Sequence, residues 1–140
     1  MTETERKKVE WLHRYQGLLA MMEELEDEQE ALRTKLEGLG AQLIDDMPKG
    51  SGGDPDKEKL IMRLEDNDKW LTKTWIEAEK ERRKIYEAVN GIDNPVLQVL
   101  LLYRYLDGMR WEEVCYKMHY SWQHVHKLHV KALRQIKISD

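Results

Sequence analysis

Apolar residues recur every three or four positions through most of this 140-residue chain, and the breaks in that rhythm mark out five helical segments. From Trp11 the sequence steps through Tyr15, Leu18, Met22, Leu25, Gln29, Leu32, Leu36, Leu39 and Leu43, a heptad seam with Gln29 as its polar member. A second seam runs through Ile61, Leu64, Asp68, Leu71, Trp75, Ala78, Arg82, Ile85 and Val89, again alternating steps of three and four. Between them, the stretch from Asp45 to Pro55 is dense in Gly, Pro and Asp and has no apolar period, which predicts a flexible loop over 46–55. Pro55 suits the first turn of the second helix, and Asn90-Gly91 supplies its stop. Two helices of similar length joined by such a loop fold back as an antiparallel hairpin.

Several residues complicate that hairpin. Asp68 and Arg82 fall on the second seam, and an unpaired buried charge costs several kcal/mol, so each must reach solvent or find a partner. Leu19, Leu60, Trp70 and Ile76 lie beside the seams and widen the apolar stripe beyond what one partner helix covers. That width predicts dimerisation or packing against the C-terminal segment.

From Pro95 to Ile136 three shorter helical periods are separated by two breaks. Asp107-Gly108 is a turn dipeptide that ends the first, and His119-Tyr120 ends the second. Ser121 can then cap the amides of the third. The middle helix, Trp111 to Met118, spans only about two turns and cannot stand alone. Its stability requires Trp111, Val114, Cys115 and Met118 to pack against Leu102 and Leu106 on one side and Val125, Leu128 and Leu133 on the other. A short helix, a tight turn and a longer helix form a helix-turn-helix. The predicted fold is therefore all-α: a long antiparallel helical hairpin over 1–90 followed by a trihelical helix-turn-helix domain over 91–140.

The segment LLYRYLDGMRWEEVCYKMHYSWQHVHKLHVKALRQI resembles region 4 of bacterial sigma factors, most clearly at Tyr105-x-x-Gly108, Trp111-Glu112-Glu113-Val114 and Lys131-Ala132-Leu133. With the helical N-terminal half and the Met47-Pro48-Lys49-Gly50 turn, the chain is similar to phage-encoded late-gene transcription regulators of the ArpU and RinA type. This resemblance implies a DNA-binding transcription regulator in the cytoplasm of a bacterial host, with RNA polymerase as a second partner. One region-4-like unit without the other sigma regions implies an activator or accessory factor. Aligned through Val125, the family's base-facing positions fall on Trp122, Gln123, His126 and Lys127.

The chemistry of those residues suits the role. Gln pairs with adenine N6 and N7, Lys donates to guanine O6 or N7, and an aromatic edge contacts a thymine methyl. Arg110, Ser121, His124, Lys131, Arg134 and Lys137 are the candidates for phosphate contacts. Val125, Leu128, Ala132 and Leu133 are expected on the buried side of the same helix. Histidines stand where sigma-like domains commonly place arginines, which predicts weak binding at neutral pH that strengthens between pH 8 and 6 as imidazoles protonate.

Composition adds a charge argument and several exclusions. The 41% hydrophobic and 36% charged residues are ordinary for a largely helical soluble chain, and the absence of Phe leaves Trp, Leu and Met to fill the core. The net charge of −4 is unevenly placed: residues 1–90 hold 22 acidic and 16 basic residues, whereas Ser121 to Ser139 holds four basic residues, three histidines and no acid. A one-signed segment in an acidic protein points to nucleic acid.

A single cysteine excludes an internal disulfide, and no apolar run is long enough for a membrane span. The Gly-rich loop lacks the G-x-x-x-x-G-K-[ST] spacing of a phosphate-binding loop. Cys115 and His119, with His126 and His129, offer metal-ligand spacing, but Cys115 is expected to face the core and His126 the groove, so no metal site is expected. No nucleophile and base pair has local support, so neither a cofactor nor an enzymatic activity is expected. The expected partners are double-stranded DNA, RNA polymerase and a second copy bound through the N-terminal helices. Two other readings remain: an oligomeric DNA-packaging subunit of the small-terminase kind, and a protein adaptor using Tyr120 and Trp122.

Overall fold

The structure is a computed structural model describing residues 1–45 and 54–139, with side chains described for 1–40 and 54–139. Helix α1 spans Glu3–Asp45, α2 Pro55–Asn90, α3 Pro95–Leu101, α4 Trp111–Met118 and α5 Trp122–Gln135. Helix α3 continues into a wider π turn at Leu102–Leu106. Among the described residues there is no strand. The chain is all-α, a long antiparallel hairpin followed by a trihelical helix-turn-helix domain. Most of the expected loop, residues 46–53 with its Met47-Pro48-Lys49-Gly50 turn, lies outside the described residues, as does the side chain of Leu43.

Local chemistry explains the helix ends. Asp54 accepts the Asp56 amide through Oδ1 ahead of Pro55, and Asn94 accepts the Val96 amide at 2.9 Å ahead of Pro95. Gln98 Nε2 donates to the carbonyls of Val89 and Ile92, so a side chain of α3 ties down the backbone where α2 ends.

The described residues divide into two compact units, Ala20–Ile76 and Met1–Leu19 with Glu77–Asp140. In the Ala20–Ile76 unit the segments of α1 and α2 pair through Leu25, Leu32, Asn67 and Thr74, all buried, with Leu60, Leu64 and Leu71 half-buried beside them. The α2 seam therefore differs from the predicted one. Asn67 and Thr74 take the places expected for Asp68 and Trp75, while Ile61, Asp68 and Trp75 are exposed. Asn67 can sit inside because its Nδ2 donates to the Leu25 carbonyl at 2.9 Å, and Thr74 because its hydroxyl donates to its own helix at Trp70. Asp68, one residue outward, is exposed and accepts from Gln29 Nε2. The ion pair of Arg63 with Glu28, 3.5 Å apart and exposed, contributes little.

In the other unit the ends of the long helices pack with α3, α4 and α5. One core holds Trp11, Leu12, Ile85, Val89 and Ile92 together with Leu97, Leu100, Leu101, Tyr105, Val114, Val125, Ala132, Leu133 and Ile136. The hairpin expected over 1–90 thus contributes residues 1–19 and 77–90 to the unit that contains the helix-turn-helix. Leu12, which the single seam omits, is fully buried beside Trp11, because here α1 is covered on more than one side. Arg82, by contrast, is exposed and lies over the Tyr86 ring. Each large apolar side chain sealed in this way contributes about 1.5–3 kcal/mol.

Polar contacts extend the same union. Lys8 Nζ donates to the Leu133 carbonyl at 2.7 Å, placing a cation at the carbonyl-rich end of α5, and Trp11 Nε1 donates to the Ser139 carbonyl at 2.8 Å. Gln16 Nε2 donates to the carbonyls of Tyr105 and Leu106, which end the π turn. Gly108 follows at φ +69°, a left-handed conformation that a glycine adopts without steric cost.

Candidate nucleic-acid interface

The helix-turn-helix begins at α4, whose entry residue Arg110 is extended and makes no side-chain cap. Arg110 instead pairs with Glu113 at 3.0 Å, both exposed. Helix α4 ends on His119 at φ 60°, ψ 37°, so a histidine occupies the left-handed turn position that usually falls to glycine. The chain then turns through Tyr120, and Ser121 starts α5 by accepting the His124 amide at 3.2 Å. Trp111, Cys115, Met118, Leu102, Leu106 and Leu128 are partly buried against Val114, Val125 and Leu133, the packing that this short helix needs.

Helix α5 turns Val125, His129, Ala132 and Leu133 inward. Gln123, His124, Lys127, Lys131 and Arg134 are exposed, and so is Lys137 beyond the helix end. At 100° per residue, Gln123, Lys127, Lys131 and Arg134 share the side opposite the buried one. Arg134 is already engaged: its Nε donates to Glu5 Oε1 at 3.2 Å, although the side chain is 71% exposed. Ser121 is committed to the helix cap, and His124 stacks edge-on against Tyr120 with ring centroids 4.5 Å apart.

His126 departs from the expected outward position. It is half-buried between two indoles, with centroid distances of 5.0 Å to Trp111 and 4.0 Å to Trp122. Its Nε2 is buried and has no hydrogen-bond partner among the described residues. Trp122 itself is 52% exposed, so one side of its ring rests on His126 while much of the rest meets solvent. The Arg104 guanidinium lies over the Trp111 ring, 4.7 Å from its centroid. Arg104 also donates to the Met109 carbonyl at 2.9 Å, fixing it beside the Gly108 turn.

His129 is a residue that sequence reasoning left without a place. At 4% exposure it packs on Trp111 and shares a 2.7 Å hydrogen bond with Tyr105, itself 1% exposed. Burial pulls its pKa down to about 4, helped by nearby His126, Arg104 and His13 and opposed by Glu5. Burial likewise pushes the Tyr105 hydroxyl well above the usual tyrosine range, against the opposing influence of Arg104. His13, beside Tyr105, is lowered by burial first and by Arg104 second. His129 therefore stays neutral at pH 6 and adds nothing to the pH-dependent attraction expected from the three histidines of this helix. The signal available in sequence was its spacing: His129 lies four residues after Val125 and four before Leu133, on the apolar row of the helix.

Among the described residues no group of three or more His, Cys, Asp or Glu side chains is placed to hold a metal ion, and Cys115 is partly buried against the core. No described helix is long and apolar enough to cross a membrane. Charge separates along the same division as the units: Ala20–Ile76 contains 15 acidic and 8 basic residues, the remainder of the chain 12 and 15. No protein-family model, curated protein or solved structure matches this chain.

Proposed function

We propose that this protein is a sequence-specific DNA-binding transcription regulator, acting in the cytoplasm of a bacterial host through α5 in the major groove. The supporting observation is the exposed side of α5, where Gln123, Lys127 and Lys131 stand together on a helix without a single acidic residue. Gln123 and Lys127 lie in the first half of the helix, the part that meets base edges in a helix-turn-helix, and Lys131 and Lys137 suit phosphates. Ser121, His124, Arg110 and Arg134 are secondary phosphate candidates, since each already has a partner within the protein. The acidic Ala20–Ile76 hairpin serves a second macromolecule, RNA polymerase or another copy of the chain. The reading remains that of a phage-type activator or accessory factor.

Footprinting on DNA from the protein's own genomic neighbourhood, at two salt concentrations, tests this proposal. A discrete footprint should weaken steeply with salt, because each phosphate contact releases counterions. It should disappear in the Gln123→Ala/Lys127→Ala double variant. Absence of protection at low salt by folded protein would overturn the proposal.

One observation favours a different class. Tyr116 is 84% exposed, and Tyr120 and Trp122 are also exposed near the same turn, an aromatic grouping of the kind that anchors protein interfaces. An adaptor would use that grouping with no salt-dependent DNA binding. A small-terminase-like subunit would instead give a high closed oligomer by mass measurement, whereas the regulator is expected as a monomer or dimer.

A further inference from the structure

Four side chains form a continuous chain of ring contacts across the helix-turn-helix, tilted at Trp111–His126 and edge-on at His126–Trp122. The Arg104 guanidinium lies 4.7 Å from the Trp111 ring, Trp111 lies 5.0 Å from His126, and His126 lies 4.0 Å from Trp122. These residues come from the π turn after α3, from the first position of α4 and from the first turns of α5. His126 is half-buried and its Nε2 has no partner among the described residues, so the ring's contacts here are through its faces and edges rather than its hydrogen-bonding atoms. Among the described residues the aromatic contact of Trp122 is with that ring, one turn further along α5, and the ring in turn meets Trp111 of α4.

We propose that His126 is the positioning residue of α5: wedged between Trp111 and Trp122, it fixes the Trp122 indole at the helix entry, leaving direct base reading to Gln123 and Lys127. The imidazole acts as a flat spacer. Trp111, which also contacts the Arg104 guanidinium and His129, is the wall against which it bears. A fixed Trp122 presents an indole edge beside Gln123 at no further ordering cost on binding, and a stack built from three elements also sets how α5 enters on α4. The DNA part of this inference rests on α5 being the reading helix; the wedge itself does not.

The test compares wild type, His126→Phe and His126→Ala by two readouts. Phe keeps the flat ring and removes both ring nitrogens; Ala removes the wedge. The first readout is the 15N heteronuclear NOE of the Trp122 indole N–H, assigned from the signal lost in Trp122→Phe. The second is footprinting on the DNA bound by wild type. His126→Phe should keep the indole ordered and the footprint within about twofold, whereas His126→Ala should leave the indole mobile and weaken binding about tenfold, the cost of ordering a large side chain on binding. An indole as ordered in a folded His126→Ala protein as in wild type overturns the wedge. Loss of the footprint in His126→Phe with the indole still ordered also overturns it, because the imidazole nitrogens would then be reading DNA. Should wild type bind no DNA while the indole loosens only in His126→Ala, the wedge stands and the transcription reading falls.

Discussion

The Tyr105 hydroxyl and His129 Nε2 lie 2.7 Å apart inside the core, joining the π turn after α3 to the middle of α5. Both groups are sealed from water, and each is the other's hydrogen-bond partner. The π turn contributes to this pairing, since an i to i+5 turn widens the helix locally and shifts the register of the residues within it.

His129 should make stability depend on pH. Its folded pKa of about 4 lies below the unfolded value of 6.5, so the unfolded chain binds the proton more tightly. Stability is then fully present above pH 6.5, declines as pH falls toward 4 and loses nothing further from this group below that; the total is about 3 kcal/mol. Urea unfolding at pH 7, 5.5 and 4.5 should show that decline in wild type and a shallower one in His129→Gln. Parallel pH curves for the two proteins would rule out this assignment.

Gly108→Ala should destabilise by about 1–3 kcal/mol from two sources, strain at positive φ and collision with Gln16. A Cβ at position 108 would lie 2.8 Å from Gln16 Oε1. Because Gln16 also holds the Tyr105 and Leu106 carbonyls, it cannot move without losing those bonds. A double-mutant cycle with Gln16→Ala should recover the collision part of the cost and leave the strain. Strict additivity would show that the collision is relieved freely.

His119→Gly should stabilise the protein by about 0.5–1 kcal/mol, since glycine removes the left-handed strain and the exposed side chain takes no core contact with it. Thermal unfolding of the two proteins measures this. A lower melting temperature for the glycine variant would mean that the His119 side chain contributes a contact of its own.

The isolated segment 91–140 should fail to fold cooperatively. Its core would lack Trp11, Leu12, Ile85 and Val89, and the carbonyls of Tyr105, Leu106 and Leu133 would lose their donors. Circular dichroism with urea titration should show no sigmoidal transition, in contrast to the whole chain. A sharp transition would make residues 1–19 and 77–90 dispensable to this unit.

The elements that could be read from sequence were those governed by local chemistry. Pro55, Asn94-Pro95 and Ser121 start helices where their side chains and fixed φ act on adjacent amides, and Gly108 turns where positive φ is needed. The two-turn α4 was legible because a helix so short exists only with packing on both sides. What periodicity could not give was a choice between neighbouring rows of one helix. Asn67 and Asp68 are one residue apart, and only the Leu25 carbonyl across the hairpin admits the amide and leaves the carboxylate outside. His126 and His129 presented the same difficulty, since polar residue types mask a buried row. The π turn had no local signature at all: its residues, Leu102 to Leu106, read as ordinary helix, and its carbonyls are met by Gln16 from far away in sequence.

The bonds from Glu5, Lys8 and Trp11 to Arg134, Leu133 and Ser139 join positions 125 to 129 residues apart. On a ribosome moving at roughly 5–20 residues/s, the partners of these residues emerge on the order of 6–25 s after the residues themselves. The bond of Asn67 to the Leu25 carbonyl spans only 42 residues and can close earlier. The nascent chain therefore carries Trp11 and Leu12 incompletely covered long after they emerge, and α5 is secured only when translation has passed residue 139. A message cut short before that point yields the Ala20–Ile76 hairpin without a finished helix-turn-helix unit.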